Sequence, residues 1–435
     1  MPDKNIRILY ISSLYPLKGP GVIGLRDFQR MRNAGLNVDM LTLTQVDGHP
    51  EILYVKGHNF LQKAFRYFLY KIKKMLRLSV KQNKHAPFFF FYEKENQPPI
   101  PTDRIMKCIK KDYDLVIVYF WQQMLSFETV EAIYDKMHPV VFFFPPDYSH
   151  MTGGCHFPGT CKRYQVGCGC CPAIGSQDEN DFTHWNVEYR ERIYNKVKPV
   201  VFGNSYMQEF YANSYLCKNV KRVKSSLDID TDNYYPVDTN ELREQLCIAN
   251  KDCFIVGFGC QGLTDPRKGI SILIESLKLW YQSMSENSRT MIIVVAAGRD
   301  FDKIKDSIPF KSIGLGMLPI NKLPEFYSLI DIFVCSSVND AGPSMVGQSI
   351  ACGTPVVGFE MGALLDLVKD RGTGTCVEIG NAKDLAEAIN SYYIMDKAER
   401  KRYSERCLAF ARNNSANKGI ENWLSVYWKV KNNEI

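Results

Sequence analysis

The chain is expected to be an α/β protein built from two doubly wound parallel sheets, one in each half. Two observations predict this: short β-branched runs alternate with longer helical patterns, the signature of parallel βαβ units, and the alternation repeats across the two halves. With 435 residues and 45% hydrophobic content, the length also fits two domains of ordinary size.

In the first half the apolar runs predict strands at Ile6–Ile11, Val38–Leu43, Asp114–Tyr119, Val140–Phe144 and Val200–Phe202. Helical spacing between them predicts helices near Leu25–Ala34, Phe127–Lys136 and Phe182–Lys196. The second half predicts strands at Phe254–Phe258, Ile292–Ala296, Ile332–Cys335, Pro355–Phe359 and Thr375–Val377. Its helices are expected near Ile270–Trp280, Lys322–Leu329, Ser344–Cys352, Leu364–Lys369 and Lys383–Tyr392. The predicted division is an N-terminal domain over 1–220, a linker over 221–238, a C-terminal domain over 239–415 and a last helix within 416–435. Ligands of such folds sit at the carboxyl ends of the strands, so the cleft between the domains is the expected active site.

Composition excludes several classes. The 24 Tyr and 25 Phe rule out a disordered or fibrous chain. No apolar run approaches the ~20 residues of a membrane-spanning helix, and the N-terminus enters a strand-like run without a cleavable leader pattern. The chain therefore reads as cytoplasmic, with its 14 Cys as reduced thiols or metal ligands.

The net charge of +7 is concentrated. No acidic residue falls between Glu51 and Glu93, while Lys63, Arg66, Lys71, Lys73, Lys74, Arg77, Lys81 and Lys84 do. Leu61, Phe65, Phe68, Ile72 and Met75 recur there at helical spacing. Residues 60–84 thus read as a basic amphipathic helix suited to an anionic membrane surface, or as a solvated basic face over a core stripe. Nothing nearby resembles a base-reading module, so nucleic acid is not an expected partner.

Two loops carry the candidate chemistry. Cys335 ends a strand, a Gly342–Pro343 turn follows, and Ser344 is placed to cap a new helix. The first-turn N–H groups of that helix make an anion site for phosphate. Asp340 lies ahead of it, able to accept from sugar hydroxyls, and Gln348 lies one turn in, near a ribose position. Gly353–Gly362 is a buried strand leading to a glycine loop at the same mouth.

These segments resemble retaining GT-B glycosyltransferases of the GT4 kind (the glycosyltransferase family 1 group), which carry two Rossmann-like domains facing across a cleft. Asp331–Val334, then Ala351–Val357, resembles the family's donor signature. Gly257–Gly259 followed by Asp265–Gly269 resembles its phosphate loop, Asp228–Thr231 with Tyr234 and Pro236 its interdomain segment, and Gly19–Gly24 its acceptor-side glycine loop. The resemblance implies that Lys268 neutralises the donor β-phosphate, helped by Arg267. It implies that Asp340 orients the transferred sugar, Gln348 holds the ribose, and Gly21 lets backbone approach the diphosphate. Donor contacts are also implied for Pro343, Ser344, Met345 and Val346. It further implies retention of configuration, no catalytic metal, a nucleotide-sugar donor (UDP- or GDP-linked), and a last helix that crosses back to the first domain. The family's glutamate pair reads here as Asp340 and Gln348, its phosphate arginine is replaced near Gln261, and its N-terminal histidine by Pro146, leaving Asp147 as the catalytic candidate there.

Residues 152–172 hold Cys155-x5-Cys161-x6-Cys168-x2-Cys171, with Cys170 inside. Four thiolates at short spacing suit a structural zinc; plain thiols and an iron–sulfur or redox role remain alternatives. Thr152–Phe157 resembles a run in the branch that builds bacterial surface polysaccharides of the colanic-acid, capsule and O-antigen type. That branch implies a lipid-linked or surface glycan acceptor and a peripheral place on the plasma membrane. The alternative is a non-catalytic nucleotide-sugar-binding partner, favoured by the departures at Gln348 and Pro146 and by the missing arginine. A sugar-nucleotide epimerase lacks paired acid and base carboxylates in the donor loops.

Overall fold

A computed structural model describes residues 5–13, 21–56, 68, 71–72, 94–97, 99–225, 229–250 and 252–434. The chain divides into two compact units. The first comprises Met1–Gly203, Gln208–Lys224 and Ile420–Ile435; the second comprises Asn204–Met207 and Ser225–Gly419.

The first unit runs β1 (Arg7–Ser12), α1 (Gly21–Asn33), β2 (Asn37–Thr42), β3 (Ile52–Tyr54), α2 (Thr102–Cys108) and β4 (Leu115–Phe120). It continues through α3 (Phe127–Met137), β5 (Val140–Phe143), α4 (Phe182–Val197), β6 (Val200–Gly203), α5 (Ser205–Asn213, of which Ser205–Met207 count with the second unit) and β7 (Lys221–Lys224). The strands form a parallel sheet in the order β3-β2-β1-β4-β5-β6-β7. Runs such as Leu-Val-Ile-Val in β4 are apolar at consecutive positions because both faces are covered. Ile8, Tyr10 and Ile117 meet Phe28 and Met31 of α1 on one face. The final helix (Ala416–Lys431) joins the same core. Its Ile420, Trp423, Leu424 and Tyr427 recur at the spacing of one helical stripe, and Trp423 lies 4.7 Å from Phe144, ring to ring.

The second unit runs α6 (Asn240–Gln245), β8 (Phe254–Gly262), α7 (Ile270–Ser283), β9 (Ile292–Arg299), β10 (Lys311–Gly314), α8 (Leu323–Leu329) and β11 (Ile332–Cys335). Then come α9 (Ser344–Ala351), β12 (Val356–Phe359), α10 (Leu364–Leu367), β13 (Gly374–Val377), α11 (Ala382–Ile394) and α12 (Lys397–Asn413). Its parallel sheet has the order β10-β9-β8-β11-β12-β13. The chain leaves β8 toward one edge and returns through β11 toward the other. The crevice beyond the carboxyl ends of β8 and β11 is thus the topological switch point, where such sheets bind ligands.

Both halves are the doubly wound sheets the residue pattern predicts. The additional strands β3, β7 and β10 are short edge strands, and Lys-Arg-Val-Lys in β7 is largely exposed; an edge carrying charge shows no apolar run to read. Of the stretch read as linker, 221–224 is β7, while Ile229 and Tyr234 are buried in the second core. The basic segment 60–84 lies, except for 68, 71 and 72, outside the described residues, as do Gly19, Pro20 and Asp228. Among the described residues no helix is long and apolar enough to cross a membrane.

Candidate functional site

At the carboxyl end of β8 the chain makes one turn of 3-10 helix, Pro266–Lys268. Asp265 caps it by accepting from the Arg267 N–H at 3.0 Å, and its carboxylate also pairs with the Arg267 guanidinium. Gly269 then takes φ +61°, and a Cβ there would stand 2.0 Å from the Ser336 carbonyl, so only glycine lets this loop close on the β11 loop. Hydrogen bonds hold the closure: Ser336 Oγ donates to the Lys268 carbonyl at 2.9 Å, and the N–H groups of Val338 and Asn339 donate to that of Arg267 at 2.8 and 3.3 Å.

This closure brings Lys268 and Asp340 together. The Lys268 ammonium donates to Asp340 Oδ2, and Asp340 Oδ1 accepts from the Gly342 N–H at 3.0 Å. Burial opposes the lysine charge, but the adjacent carboxylate outweighs it and holds the ammonium above its ordinary value. An ammonium held in its charged form by an adjacent carboxylate therefore faces the switch point.

Helix α9 starts directly behind. Ser344 is its first residue and not its cap; Pro343, at φ −65° and ψ 111°, occupies the cap position because its ring fixes φ and it has no N–H to lose. Ser344 is exposed, Met345 and Gln348 are half-buried, and Val346 is buried in the core. Gly362, at φ +53°, brings the β12 loop alongside: a Cβ there would meet Pro343 at 3.1 Å and the Asp340 carbonyl at 3.2 Å. Gln348 does not point an idle amide at this mouth. Its Oε1 accepts from the Tyr327 hydroxyl at 2.8 Å.

Two supporting residues escaped the sequence reading. Asn204, which is buried, donates from Nδ2 to the Ala341 carbonyl at 2.6 Å and so braces the Asp340 loop. Arg299, at the end of β9, donates from Nε to the Gln261 carbonyl at 3.2 Å, putting a guanidinium beside the position where the sequence lacks an arginine. Neither carries a local signal, since each partner is far away in sequence.

Gly21 and Asp147 belong to the first unit. Gly21 is buried and opens α1. Asp147 is 4% exposed and committed inward: Oδ2 faces His156 Nδ1 at 2.5 Å and Oδ1 accepts from the Ser149 N–H at 2.8 Å. Burial favours its neutral form, yet His156 and these hydrogen bonds prevail and keep it below the ordinary carboxylate value. His156, given no role by sequence, is thus the partner that the fold supplies to Asp147.

His150 is different. It is fully buried against the Tyr211 ring, 5.0 Å away, and neither ring nitrogen has a hydrogen-bond partner. Burial pushes its pKa down to about 3 from the ordinary 6.5. An unfolded chain takes up this proton as pH falls below 6.5 while the folded chain does not, so stability is complete above 6.5 and drains away toward pH 3. Melting curves should show His150→Phe losing less stability than the parent between pH 7 and pH 4.5, by on the order of a few kcal/mol; parallel slopes would refute it.

The cysteine loop joins β5 to α4. Cys155, Cys161, Cys168 and Cys171 all line one cavity of about 20 Å³, together with Gly153, Arg163 and Thr183. Cys170 does not: its thiol donates outward to the Gln177 carbonyl at 3.4 Å. Burial pushes the Cys155 thiol well up and Cys168 up to about 12.

With this geometry in hand, comparison with known proteins separates the two halves. Residues 250–408 match the family described as glycosyl transferases group 1. A D-inositol 3-phosphate glycosyltransferase of Geodermatophilus obscurus is 27% identical over 175 residues. That alignment covers 38% of this chain and 38% of the relative, so the chain spans little over a third of that protein's length. An alpha-maltose-1-phosphate synthase of Mycolicibacterium smegmatis is 34% identical over 103 residues, 21% of this chain and 26% of that one. Solved structures extend the likeness to the whole fold. A sucrose-phosphate synthase from Thermosynechococcus elongatus superposes with TM-score 0.63 at 16% identity, over 98% of this chain and 99% of that one. Anabaena HepE, solved with UDP and glucose, gives TM-score 0.59 at 16% identity, over 97% and 100%. The two parallel-sheet, Rossmann-like units are those of GT-B glycosyltransferase structures.

The group 1 domain contains Arg267, Lys268, Asp340, Pro343, Ser344, Met345, Val346 and Gln348, all at the switch-point end of its sheet. Gly21, Asp147 and the four cavity cysteines lie outside it.

Proposed function

We propose that this chain is a glycosyltransferase that moves a sugar from a UDP- or GDP-linked donor to a lipid-linked or surface-polysaccharide acceptor with retention of configuration. The observation that carries the reading is the Lys268–Asp340 pair, held at the switch point of the group 1 domain. A fixed ammonium is the electrostatic device that a leaving diphosphate needs. As the C1–O bond to the diphosphate breaks, negative charge grows on phosphate oxygen, and Lys268 stabilises it without reorganisation. Helix α9 adds its first-turn N–H groups to the same anion. Asp340 accepts from hydroxyls of the transferred sugar. The acceptor oxygen bonds to C1, and its proton leaves with the released diphosphate. These cationic groups do the work that a divalent ion would do elsewhere, so the proposed chemistry is metal-independent. HepE, solved with UDP and glucose, supports a nucleotide-sugar donor. Asp147, paired with His156, is proposed to act on the acceptor side, and Gly21 near the diphosphate. The basic stretch 60–84 is proposed to rest on an anionic membrane surface, which matches a lipid-linked acceptor.

One observation favours a second reading, a nucleotide-sugar binder without turnover: Gln348 already spends its carbonyl on Tyr327. Calorimetric titration with UDP and GDP, followed by product analysis with the matching sugar donor and a lipid-linked acceptor, separates the readings. Binding with transfer supports the enzyme, binding without transfer supports the binder, and no binding to either nucleotide sinks both.

A further inference from the structure

The segment between β5 and α4, residues 144–181, is held by very little regular structure. Its two helical pieces are single 3-10 turns, Ser149–Met151 and Arg163–Gln165. Loops of roughly forty residues without elements of their own need another source of order. Apolar packing does not supply it at the far end, where the buried cluster is only Cys171 and Ala173, with Cys155, Ile174 and Phe182 packed against it.

What gathers at that end instead is a set of thiols. Four thiols line one cavity of about 20 Å³, a little more than the ~10–15 Å³ that one water-sized sphere occupies. The fifth cysteine, Cys170, is turned out to the Gln177 carbonyl although it sits between Gly169 and Cys171. That sorting is conformational. Cys168 and Gly169 take φ +62° and +78°, and a Cβ on Gly169 would fall 2.0 Å from the Glu179 carbonyl. Backbone strain of this kind persists only where surroundings enforce it. Here Arg163 does so, donating from its guanidinium to the Gly169 carbonyl at 3.0 Å and the Cys168 carbonyl at 3.2 Å.

The sulfurs have outer partners as well. The Gly153 N–H donates to Cys168 Sγ at 3.3 Å and the Arg163 N–H to Cys161 Sγ at 3.5 Å. Such donors favour sulfur carrying negative charge, as metal-bound thiolate does. The Cys171 N–H is fixed by Asp181 Oδ2 at 2.9 Å, and Asp181 also caps α4. Among the described residues no group of three or more ligand-type side chains is already arranged to hold an ion. A metal bound here would draw the thiols inward and displace their protons.

We propose that Cys155, Cys161, Cys168 and Cys171 bind one Zn²⁺ as a tetrathiolate that staples this loop to the start of α4. Four sulfur ligands select a soft ion over Mg²⁺ or Ca²⁺ and leave no position open for chemistry. A cavity of this size admits a single ion and not a multi-iron cluster. The site lies in the loop that carries Asp147 and His156, so the metal orders the acceptor-side pair without touching substrate.

Metal analysis of the purified full-length chain by mass spectrometry tests this directly. One zinc per chain is expected, falling several-fold in Cys161→Ser and Cys168→Ser and unchanged in Cys170→Ser. Should the serine variants fail to fold, Co²⁺ exchanged into the parent protein decides: visible bands of a tetrahedral thiolate site support the proposal, and the pale spectrum of an octahedral site overturns it. Folded parent protein with no metal, with iron in place of zinc, or with zinc retained equally in all three variants would also overturn it.

Discussion

Lys268→Ala is expected to lower kcat/KM by a factor on the order of 10²–10³, the cost of removing one preorganised group that meets developing charge. On the proposed function the loss should fall on both donor binding and turnover, because there the ammonium meets the diphosphate before and during bond breaking. Lys268→Arg is expected to recover only part of it, since a planar fork cannot take the position of a point charge already seated on Asp340. Asp340→Ala removes the same ion pair from the other side, so the double variant should be less damaged than the sum of the single ones. Steady-state kinetics with circular dichroism as a folding control measures all three. Full activity in Lys268→Ala would place the chemistry elsewhere.

The largest expected change in stability belongs to Arg190. Its guanidinium is 1% exposed and pairs with Glu95, whose side chain is 0% exposed; Nε donates to Glu95 Oε1 at 2.8 Å. One terminal nitrogen donates to the carbonyls of Ser149 and Thr152, and the guanidinium carbon lies 5.0 Å from the centre of the Phe127 ring. Glu95 in turn accepts from the Phe127 N–H at 3.3 Å, and its own N–H donates to Asn186 at 3.1 Å. Arg190→Met strands a buried carboxylate and two carbonyls, which costs about 3–5 kcal/mol. Removing both charges with Glu95→Leu in the same chain is expected to cost less than the single change, because no lone charge remains inside. Urea midpoints compare the two; a single variant within 1 kcal/mol of the parent would show that this network supports nothing.

How much of this was legible in the residue order depends on the range of each interaction. Apolar runs such as Ile-Val-Gly-Phe in β8 show themselves locally, because a strand covered on both faces must be apolar throughout. Lys268 was legible through the resemblance of its loop to the family's phosphate loop, and Asp340 as a polar residue in a loop that follows a strand; that the two loops meet follows only from the strand order. By contrast, Arg190 reads as one more charged position in an amphipathic helix, and Glu95 as part of a polar turn. Asn204 and Ala341, or Asp147 and His156, likewise meet only through tertiary folding. Ser344 was read as a helix cap from its chemistry, but Pro343 holds that place because a rigid ring fixes the approach.

The final helix has a consequence for how this chain is made. Trp423 and its neighbours complete a core whose other members begin at Ile6. A nascent chain emerging from its N-terminus therefore exposes part of the first sheet until residues 420–427 have been synthesised. The second unit, apart from Asn204–Met207, lies wholly within Ser225–Gly419 and has all its residues available sooner. Maturation thus runs against the usual order of emergence: the half that is translated first is finished last, and a ribosome that stalls after the second unit leaves behind a protein with an intact second unit and an open apolar face.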